Sequence, residues 1–140
     1  MNRYNAEGYF DPVAYEALTK IERKERAARK AAAFRPLVYV CSPFRGDVEG
    51  NIKKARKYSR FAIDNGAIPI TPHLLYPQFM DDNNPEERYL ATHIINYVLL
   101  GKCSELWVFG SVISEGMAKE ITLAERRKLK IRYFKEGFDE

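Results

Sequence analysis

The sequence lacks most of the short motifs that assign a protein to a function class. Its 140 residues contain no P-loop, no GxGxxG fingerprint, no GxSxG nucleophile elbow and no zinc-ligand spacing. These absences disfavour P-loop and dinucleotide-binding enzymes, hydrolases with a nucleophile elbow, and metal sites. No apolar stretch approaches the ~20 residues of a membrane helix, and the N-terminus has no signal-peptide pattern. We therefore expect a cytoplasmic protein that does not enter a membrane.

Cysteine is also scarce. Cys41 and Cys103 are the two cysteines, and both lie in or beside apolar runs without the spacing of metal ligands. Buried, reduced thiols are therefore the favoured interpretation. A catalytic role for Cys41 stays open, although no histidine lies near it in the sequence.

Basic residues exceed acidic ones, 23 to 19, and many of them concentrate in one segment. The cationic side chains of this basic segment are Lys20, Arg23, Lys24, Arg26, Arg29 and Lys30. Such a segment can contact nucleic acid, but here it has no interleaved aromatic residues and no recognisable binding module. A solvated helix face is favoured, and nucleic-acid binding is disfavoured.

The chain is predicted to contain one N-terminal helix followed by alternating strands and helices. Strands are predicted at Leu37–Cys41, Ala67–Thr71, Glu105–Gly110 and Lys130–Phe134, and helices at about 12–33, 48–65, 85–100 and 115–129. This alternation predicts an α/β protein with a parallel sheet covered by helices on both faces, and Pro69 favours an edge position for the second strand. Residues 1–10 are predicted to be irregular or ordered only by docking. We expect a helical extension at 1–35 and one domain at 36–140.

Three loops are predicted to meet at one edge of this sheet. They are Ser42–Asp47, Pro72–Asp82 and Ser111–Ser114, and each follows the carboxyl end of a strand. Ligands of parallel α/β sheets bind in the crevice outside these strand ends. The pattern therefore predicts a ligand pocket built from the three loops.

Several side chains around this crevice can carry chemistry, and each also has a structural interpretation. Glu120 is either an inward carboxylate or a solvent-facing partner of Arg126 or Lys119. Tyr39 is either a core residue or a phenol that reaches the pocket. Ser114 is a candidate helix cap, which would leave backbone N–H groups free for an anion.

The two earlier loops contribute further candidates. Arg45 either grips an anion or lies on the surface, and His73 lies either at the pocket mouth or in a satisfied loop. Asp81 and Asp82 can bind sugar hydroxyls, but keeping the loop hydrated is the favoured interpretation.

Four stretches together resemble the nucleoside 2-deoxyribosyltransferase superfamily. They are Tyr39–Gly46 (YVCSPFRG), Pro72-His73, Leu106–Gly110 (LWVFG) and Ser114–Glu120 (SEGMAKE). The resemblance covers about residues 36–134 and is to a small, mostly uncharacterised bacterial and phage branch, related to the 2'-deoxynucleoside 5'-phosphate N-hydrolases. It implies a flavodoxin-like (Rossmann-like) parallel sheet of four to five strands. It also implies cleavage of an N-glycosidic bond without metal or cofactor.

The resemblance implies a role for each matching residue. In the family, a glutamate in a Ser-x-Gly-x-x-x-Glu context attacks the anomeric carbon, and Glu120 has that place. Tyr39 takes the place of a tyrosine that orients this nucleophile. The implied substrate-binding residues are Ser42, Arg45, Gly46, His73, Ser114, Gly116 and Met117. The Arg-Gly pair contacts phosphate in the nucleotide hydrolases, but Pro43 stands where those enzymes carry a serine, and Ser104 where the family often has an aspartate.

The leading interpretation is therefore a nucleoside- or nucleotide-processing N-glycosidase or deoxyribosyltransferase. Two alternatives stay open: a catalytically silent nucleotide-binding module, and a basic-helix adaptor that contacts nucleic acid or a protein partner. The resemblance also implies a homodimer or a higher homo-oligomer, in which neighbouring subunits complete each other's pockets.

Overall fold

The computed structural model describes residues 12–31, 34–138 and 140, and the chain divides into two compact units, Met1–Phe34 and Arg35–Glu140. The irregular segment predicted for residues 1–10 lies outside the described residues, as does the predicted helix end at 33. In the first unit, α1 spans Pro12–Ala31 and carries the basic segment. The Thr19 hydroxyl donates to the Tyr15 carbonyl, one helical turn earlier, at 2.8 Å.

The second unit is an α/β domain with a four-stranded, all-parallel sheet of the flavodoxin-like kind. Its strands are β1 (Leu37–Cys41), β2 (Ile68–Ile70), β3 (Glu105–Phe109) and β4 (Lys130–Phe134), in the order β2-β1-β3-β4. Strand β1 pairs in parallel with both β2 and β3, and β3 pairs with β4. The predicted fold class is confirmed, and β2, which contains Pro69, is an edge strand as predicted.

The strands alternate their side chains between two hydrophobic cores, one on each face of the sheet. The first core contains Val38, Val40, Tyr58, Ala62, Ala67, Trp107, Phe109 and Phe134. The second contains Tyr39, Cys41, Leu100, Cys103, Leu106, Val108, Met117 and Ala124. Helix α2 (Val48–Asp64) supplies the first core, and the helices after β2 and β3 supply the second. Cys41 and Cys103 are buried free thiols, as predicted.

The segment after β2 is more ordered than predicted. It was expected to be a long loop, but it contains a short helix, α3 (Pro72–Leu75), and a 3-10 turn (Tyr76–Gln78). Pro72 and Pro77 lie in the first positions of these turns, where the missing N–H has no intrahelical partner to lose. Proline here starts a helix rather than breaking one.

The helix that follows is irregular. It consists of α4 (Pro85–Tyr89), a π-helical turn (Leu90–Ile95) and α5 (Asn96–Lys102), and we call the whole element the π-turn helix. Among the helices that the structure describes, none combines the length and the apolar character needed to cross a bilayer.

The π turn changes which side chains face inward. Tyr89, Ile94 and Val98 were predicted to be buried, but each is about half exposed. A π turn holds more residues than an α turn, so a prediction at 3.6-residue spacing loses register across it. On α2, Ile63 is likewise exposed rather than buried.

Helix α6 (Glu115–Arg126) follows the prediction closely. Met117 and Ala124 are fully buried, and Ile121 packs against the same core. The helix ends three residues earlier than predicted, and Lys128 adopts a positive φ of 59° before β4 begins.

Candidate functional site

A cleft of about 1210 Å³ opens beside the carboxyl ends of the strands. Its walls come from the segments after β1 and β2, from the π-turn helix and from the first turns of α6. A volume above the ~300–1,000 Å³ of typical ligand pockets leaves room for a small molecule and water. The predicted meeting of strand-end loops thus forms a real cavity.

Most of the predicted site residues lie around this cleft. The ones that line it are Ser42, Arg45, His73, Ser114, Gly116, Met117 and Glu120. Tyr39 does not reach the wall, because it is fully buried on β1 behind Glu120. Three segments distant in sequence therefore contribute predicted site residues to one cavity.

Gly46 is not among the lining residues. Its φ of 92° lies in the left-handed region, which glycine adopts without the steric penalty of a Cβ. In this structure Gly46 turns the chain from the β1 loop toward α2. Its predicted contact with substrate stays a prediction.

Gly116 has a different environment. A Cβ built at this residue would have no described protein atom within 4 Å, and Gly116 lines the cleft. Packing within the described residues therefore does not require glycine here. Open space at this backbone position allows close approach of a ligand.

Helix α6 aims Glu120 inward. Ser114 caps the helix, with its Oγ accepting from the Met117 N–H at 3.3 Å. Glu120 shares a helix face with Met117 and Ala124, at spacings of three and four residues, and both of these side chains are buried. The solvent-facing alternative is not observed, since Lys119 pairs instead with Glu115 at 3.6 Å.

The Glu120 carboxylate lies in a low-polarity environment. The residue as a whole is partly exposed, but its Oε2 atom is buried, and Cys41 Sγ lies 4.0 Å from Oε1. Burial raises the pKa of Glu120 to about 7, and the Tyr39 hydroxyl opposes part of this rise. The carboxyl therefore changes its charge near neutral pH.

Tyr39 and Cys41 are the two β1 side chains beneath this carboxylate. Burial, reinforced by the Glu120 charge, raises the pKa of both residues well above the ordinary values. Tyr39 therefore remains a phenol that can donate to Glu120, although its present geometry falls short of a hydrogen bond. Cys41 remains a thiol, which argues against a catalytic thiolate.

Four buried polar side-chain atoms have no hydrogen-bond partner in the described part of the chain. They are Tyr39 Oη, Ser42 Oγ, His73 Nδ1 and Glu120 Oε2. Buried polar groups are almost always paired, and an unpaired one costs about 1–3 kcal/mol. All four belong to residues that the sequence singled out, and three of them line the cleft. A ligand or water in this cavity could pair with such atoms.

His73 stands at the start of α3 on the cleft wall. Its ring packs against Phe44, with 5.1 Å between the ring centroids. Burial lowers the pKa of His73 to about 4, and the nearby Asp82 charge opposes part of that fall. The ring is therefore neutral at pH 7 and can accept or donate one hydrogen bond through each nitrogen, depending on the tautomer.

Arg45 and Asp82 form an ion pair between two walls of the cleft. The Nε and Nη2 atoms of Arg45 each lie 3.3 Å from Asp82 Oδ2. Asp81 instead accepts from the Asn83 backbone N–H at 2.9 Å, as in a turn. Neither of the two sequence interpretations of Asp82, sugar contact or loop hydration, anticipated this pair.

The sequence reasoning missed the wall formed by the π-turn helix. The rings of Tyr89 and His93 stack, with 4.4 Å between their centroids, and His93 Nδ1 lies 2.8 Å from the Thr92 hydroxyl. Asn96 and Tyr97 also line this wall. Tyr89, His93 and Tyr97 recur at four-residue spacing, which marks one helix face. That spacing was visible in the sequence and could have identified the wall.

Metal ligands were not predicted, and residues 12–31, 34–138 and 140 contain no group of three or more His, Cys, Asp or Glu side chains placed to hold a metal ion. The chemistry available to the cleft from these residues consists of a carboxyl group with a raised pKa, a phenol, a neutral imidazole and a buried hydroxyl.

Comparison with known proteins gives a family without an assigned activity. No curated protein matches the chain. Residues 36–134, which include every strand and all of the predicted site residues, match the model of a family described as "Domain of unknown function (DUF7768)". Because the match covers most of the chain, this protein belongs to the DUF7768 family.

Proposed function

We propose that this domain binds a 2'-deoxynucleoside or its 5'-phosphate and cleaves the N-glycosidic bond, as an N-glycosidase or a deoxyribosyltransferase. The observation that supports it best is the set of four buried, unpaired polar atoms, three of which belong to residues that line the cleft. A sugar offers hydroxyls that both donate and accept, which complements a serine hydroxyl and a neutral imidazole. The sequence resemblance to nucleoside 2-deoxyribosyltransferases supplies the reaction class.

Glu120 is the nucleophile in this proposal. In the first step its carboxylate oxygen bonds to the anomeric carbon, the bond from that carbon to the base nitrogen breaks, and the base leaves with the electron pair and takes up a proton. In the second step water attacks the anomeric carbon, the bond from that carbon to the Glu120 oxygen breaks, and the water gives up a proton to solvent. The sugar is released and the Glu120 carboxylate is regenerated. If a second base attacks instead, the outcome is transfer.

Tyr39 and the low-polarity surroundings set the orientation and the pKa of the Glu120 carboxylate. A phenol that stays protonated can donate to the carboxylate and hold one of its oxygens, which directs the other toward the sugar. The raised pKa of Glu120 leaves about half of the carboxyl ionised at pH 7. The positive charge that develops on the sugar ring favours the ionised form as the reaction proceeds.

The proposal predicts that Glu120→Gln and Glu120→Ala abolish base release. Either change removes the carboxylate that bonds to the anomeric carbon and should leave α6 intact. Incubation with a panel of 2'-deoxynucleosides and their 5'-monophosphates, followed by chromatography for free base, measures this. Glu125→Gln is the matched control, because Glu125 lies on the same helix but does not line the cleft. Base release that persists in both Glu120 variants contradicts the assignment.

Binding without turnover is the second candidate, and the raised pKa of Glu120 favours it, since a protonated carboxyl is a poor nucleophile. The same panel separates the two functions. Thermal stabilisation of the wild type by a nucleoside, with no free base after prolonged incubation, indicates a binding module.

We also propose that the protein assembles as a homo-oligomer through the π-turn helix. Five large apolar side chains on this helix are about half exposed: Tyr89, Leu90, Ile94, Tyr97 and Val98. Several large exposed apolar side chains on one helix are a common feature of protein–protein interfaces. The same helix forms one wall of the cleft, so a second copy seated there would cover part of the site.

A further inference from the structure

The guanidinium at the cleft is already paired with a carboxylate. Arg45 follows β1, and Asp82 lies 37 residues later, beyond the 3-10 turn, so their ion pair joins two walls of the cavity. A phosphate that binds Arg45 has to displace Asp82 or share the guanidinium with it. In the shared arrangement the two anions repel each other.

The helix N-termini near the cleft also carry their own negative charge. Helix α2 has Asp47 as its cap and Glu49 in its first turn, α4 has Glu86 and Glu87, and α6 has Glu115. Helix N-termini attract anions through their free N–H groups and dipole. Here carboxylates of the protein partly satisfy that attraction before any ligand binds.

The charge balance of the cleft differs from that of the whole chain. The sequence carries a net charge of +4. Among the described residues that line the cleft, cationic side chains number four (Arg45, Arg88, Lys119 and Arg126) and carboxyl groups number five (Asp81, Asp82, Glu87, Glu115 and Glu120). The cleft therefore does not concentrate positive charge, as a site built for a dianion would.

The Arg45–Asp82 pair is open enough to be exchanged. The two side chains are 52% and 35% exposed, and such exposed pairs contribute little to folding stability. Removing the Asp82 charge should therefore leave the domain folded. The change would act mainly on which ligands Arg45 can accept.

We propose that Asp82 is a specificity-determining residue: by holding Arg45, it makes the cleft select uncharged nucleosides over their 5'-monophosphates. This inference rests on the proposed function only for the identity of the ligand. It adds a residue with a defined role to the site and revises the phosphate contact that the resemblance implied for Arg45.

The test is a binding titration of wild type and Asp82→Asn against the four common 2'-deoxynucleosides and their 5'-monophosphates. The wild type should bind its best nucleoside about tenfold more tightly than the corresponding monophosphate. Asp82→Asn should narrow this ratio about five- to tenfold, through tighter monophosphate binding with nucleoside affinity nearly unchanged. The gain should shrink at high salt, because screening weakens exposed charge interactions.

Asp64→Asn is the matched control. Asp64 pairs with Arg60 at 3.0 Å on α2, also at the surface, and does not line the cleft. The Asp64→Asn variant loses the same charge from the same kind of exposed ion pair. Its ratio of monophosphate to nucleoside affinity should stay at the wild-type value. Equal narrowing by Asp64→Asn would assign the effect to net charge and overturn the proposal, as would a wild type that prefers monophosphates or a ratio unaltered in Asp82→Asn.

Base release measured on the same samples separates this inference from the proposed function. The expected binding ratios without base release support the role of Asp82 and refute the glycosidase. Base release with a ratio that Asp82→Asn does not change refutes the role of Asp82 alone. A wild type that binds neither ligand class refutes both.

Discussion

At the scale of single residues, Glu120 and His73 carry pKa values displaced in opposite directions. Burial raises the pKa of Glu120 from 4.5 to about 7 and lowers that of His73 from 6.5 to about 4. Between these values the folded state holds the Glu120 proton more tightly than the unfolded state, so this residue's contribution to stability falls as pH rises. For His73 the unfolded state binds the proton more tightly, so its contribution rises with pH. From about pH 4.5 to 6.5 the two trends oppose each other.

Glu120→Gln should therefore stabilise the protein in a pH-dependent manner. Its free energy of unfolding relative to wild type should increase from about pH 4.5 and level off above pH 7, at a difference on the order of 3 kcal/mol. Urea unfolding at pH 5 and pH 8 measures this, with Glu125→Gln as the control. A difference that is the same at both pH values would show that burial does not displace the pKa of Glu120.

At the scale of elements, the Asp47 cap at the start of α2 leaves room only for glycine at position 50. Asp47 caps the helix by accepting from the Gly50 N–H at 3.1 Å, and a Cβ on Gly50 would collide with the Asp47 carboxylate. Alanine at position 50 gains helix propensity but displaces the cap. These opposing effects are each about 1 kcal/mol.

A double-mutant cycle should therefore show coupling between these positions of about 1 kcal/mol. In the Asp47→Ala background, Gly50→Ala should stabilise the domain by about 0.5–1 kcal/mol, because no cap remains to be displaced. In the wild-type background the same change should be neutral or destabilising. Urea titrations of the four variants measure the cycle, and additive free energies would mean that Gly50→Ala does not displace the cap.

At the scale of the whole molecule, the apolar face of the π-turn helix predicts self-association. Ile94→Glu and Val98→Glu place charges on this face without altering residues that line the cleft. Light scattering should give an oligomer for wild type and a monomer for either variant, and the melting temperature of the variants should lose its concentration dependence. Ile63→Glu, on the exposed side of α2, is the control. A monomeric wild type at tens of micromolar would contradict the expected assembly.

The sheet could be predicted from the sequence because its two central strands, β1 and β3, are short and mostly apolar, and because strands and helices alternate along the chain. Leu37–Cys41 follows Pro36 and ends at polar Ser42, and Lys130–Phe134 was likewise predicted with its observed bounds. The exposed faces of the π-turn helix could not be predicted, because a π turn has no sequence signature that period counting detects. Ile94 and Val98 were placed inward for that reason.

The candidate site was predictable in part. The resemblance pointed to Glu120 and Tyr39, and the parallel order brought their elements together across the sheet. The ion pair of Arg45 with Asp82 could not be predicted, because no local pattern relates residues 37 positions apart. The histidine of the missed wall, His93, lies between two tyrosines at four-residue spacing, and this signal was present in the sequence.

The position of Trp107 has a practical consequence for every experiment above. It is the one tryptophan in the sequence, and it is buried with Phe61 and Phe134 in the first core, while Arg132 lies 4.8 Å above its ring. The cleft borders the second core, on the opposite face of β3. We therefore expect intrinsic fluorescence excited at the indole to report loss of the native fold and to respond little to occupation of the cleft. Unfolding titrations can use Trp107 fluorescence in the presence of ligand. Ligand binding has to be followed by another method, such as calorimetry or a mobility-based assay.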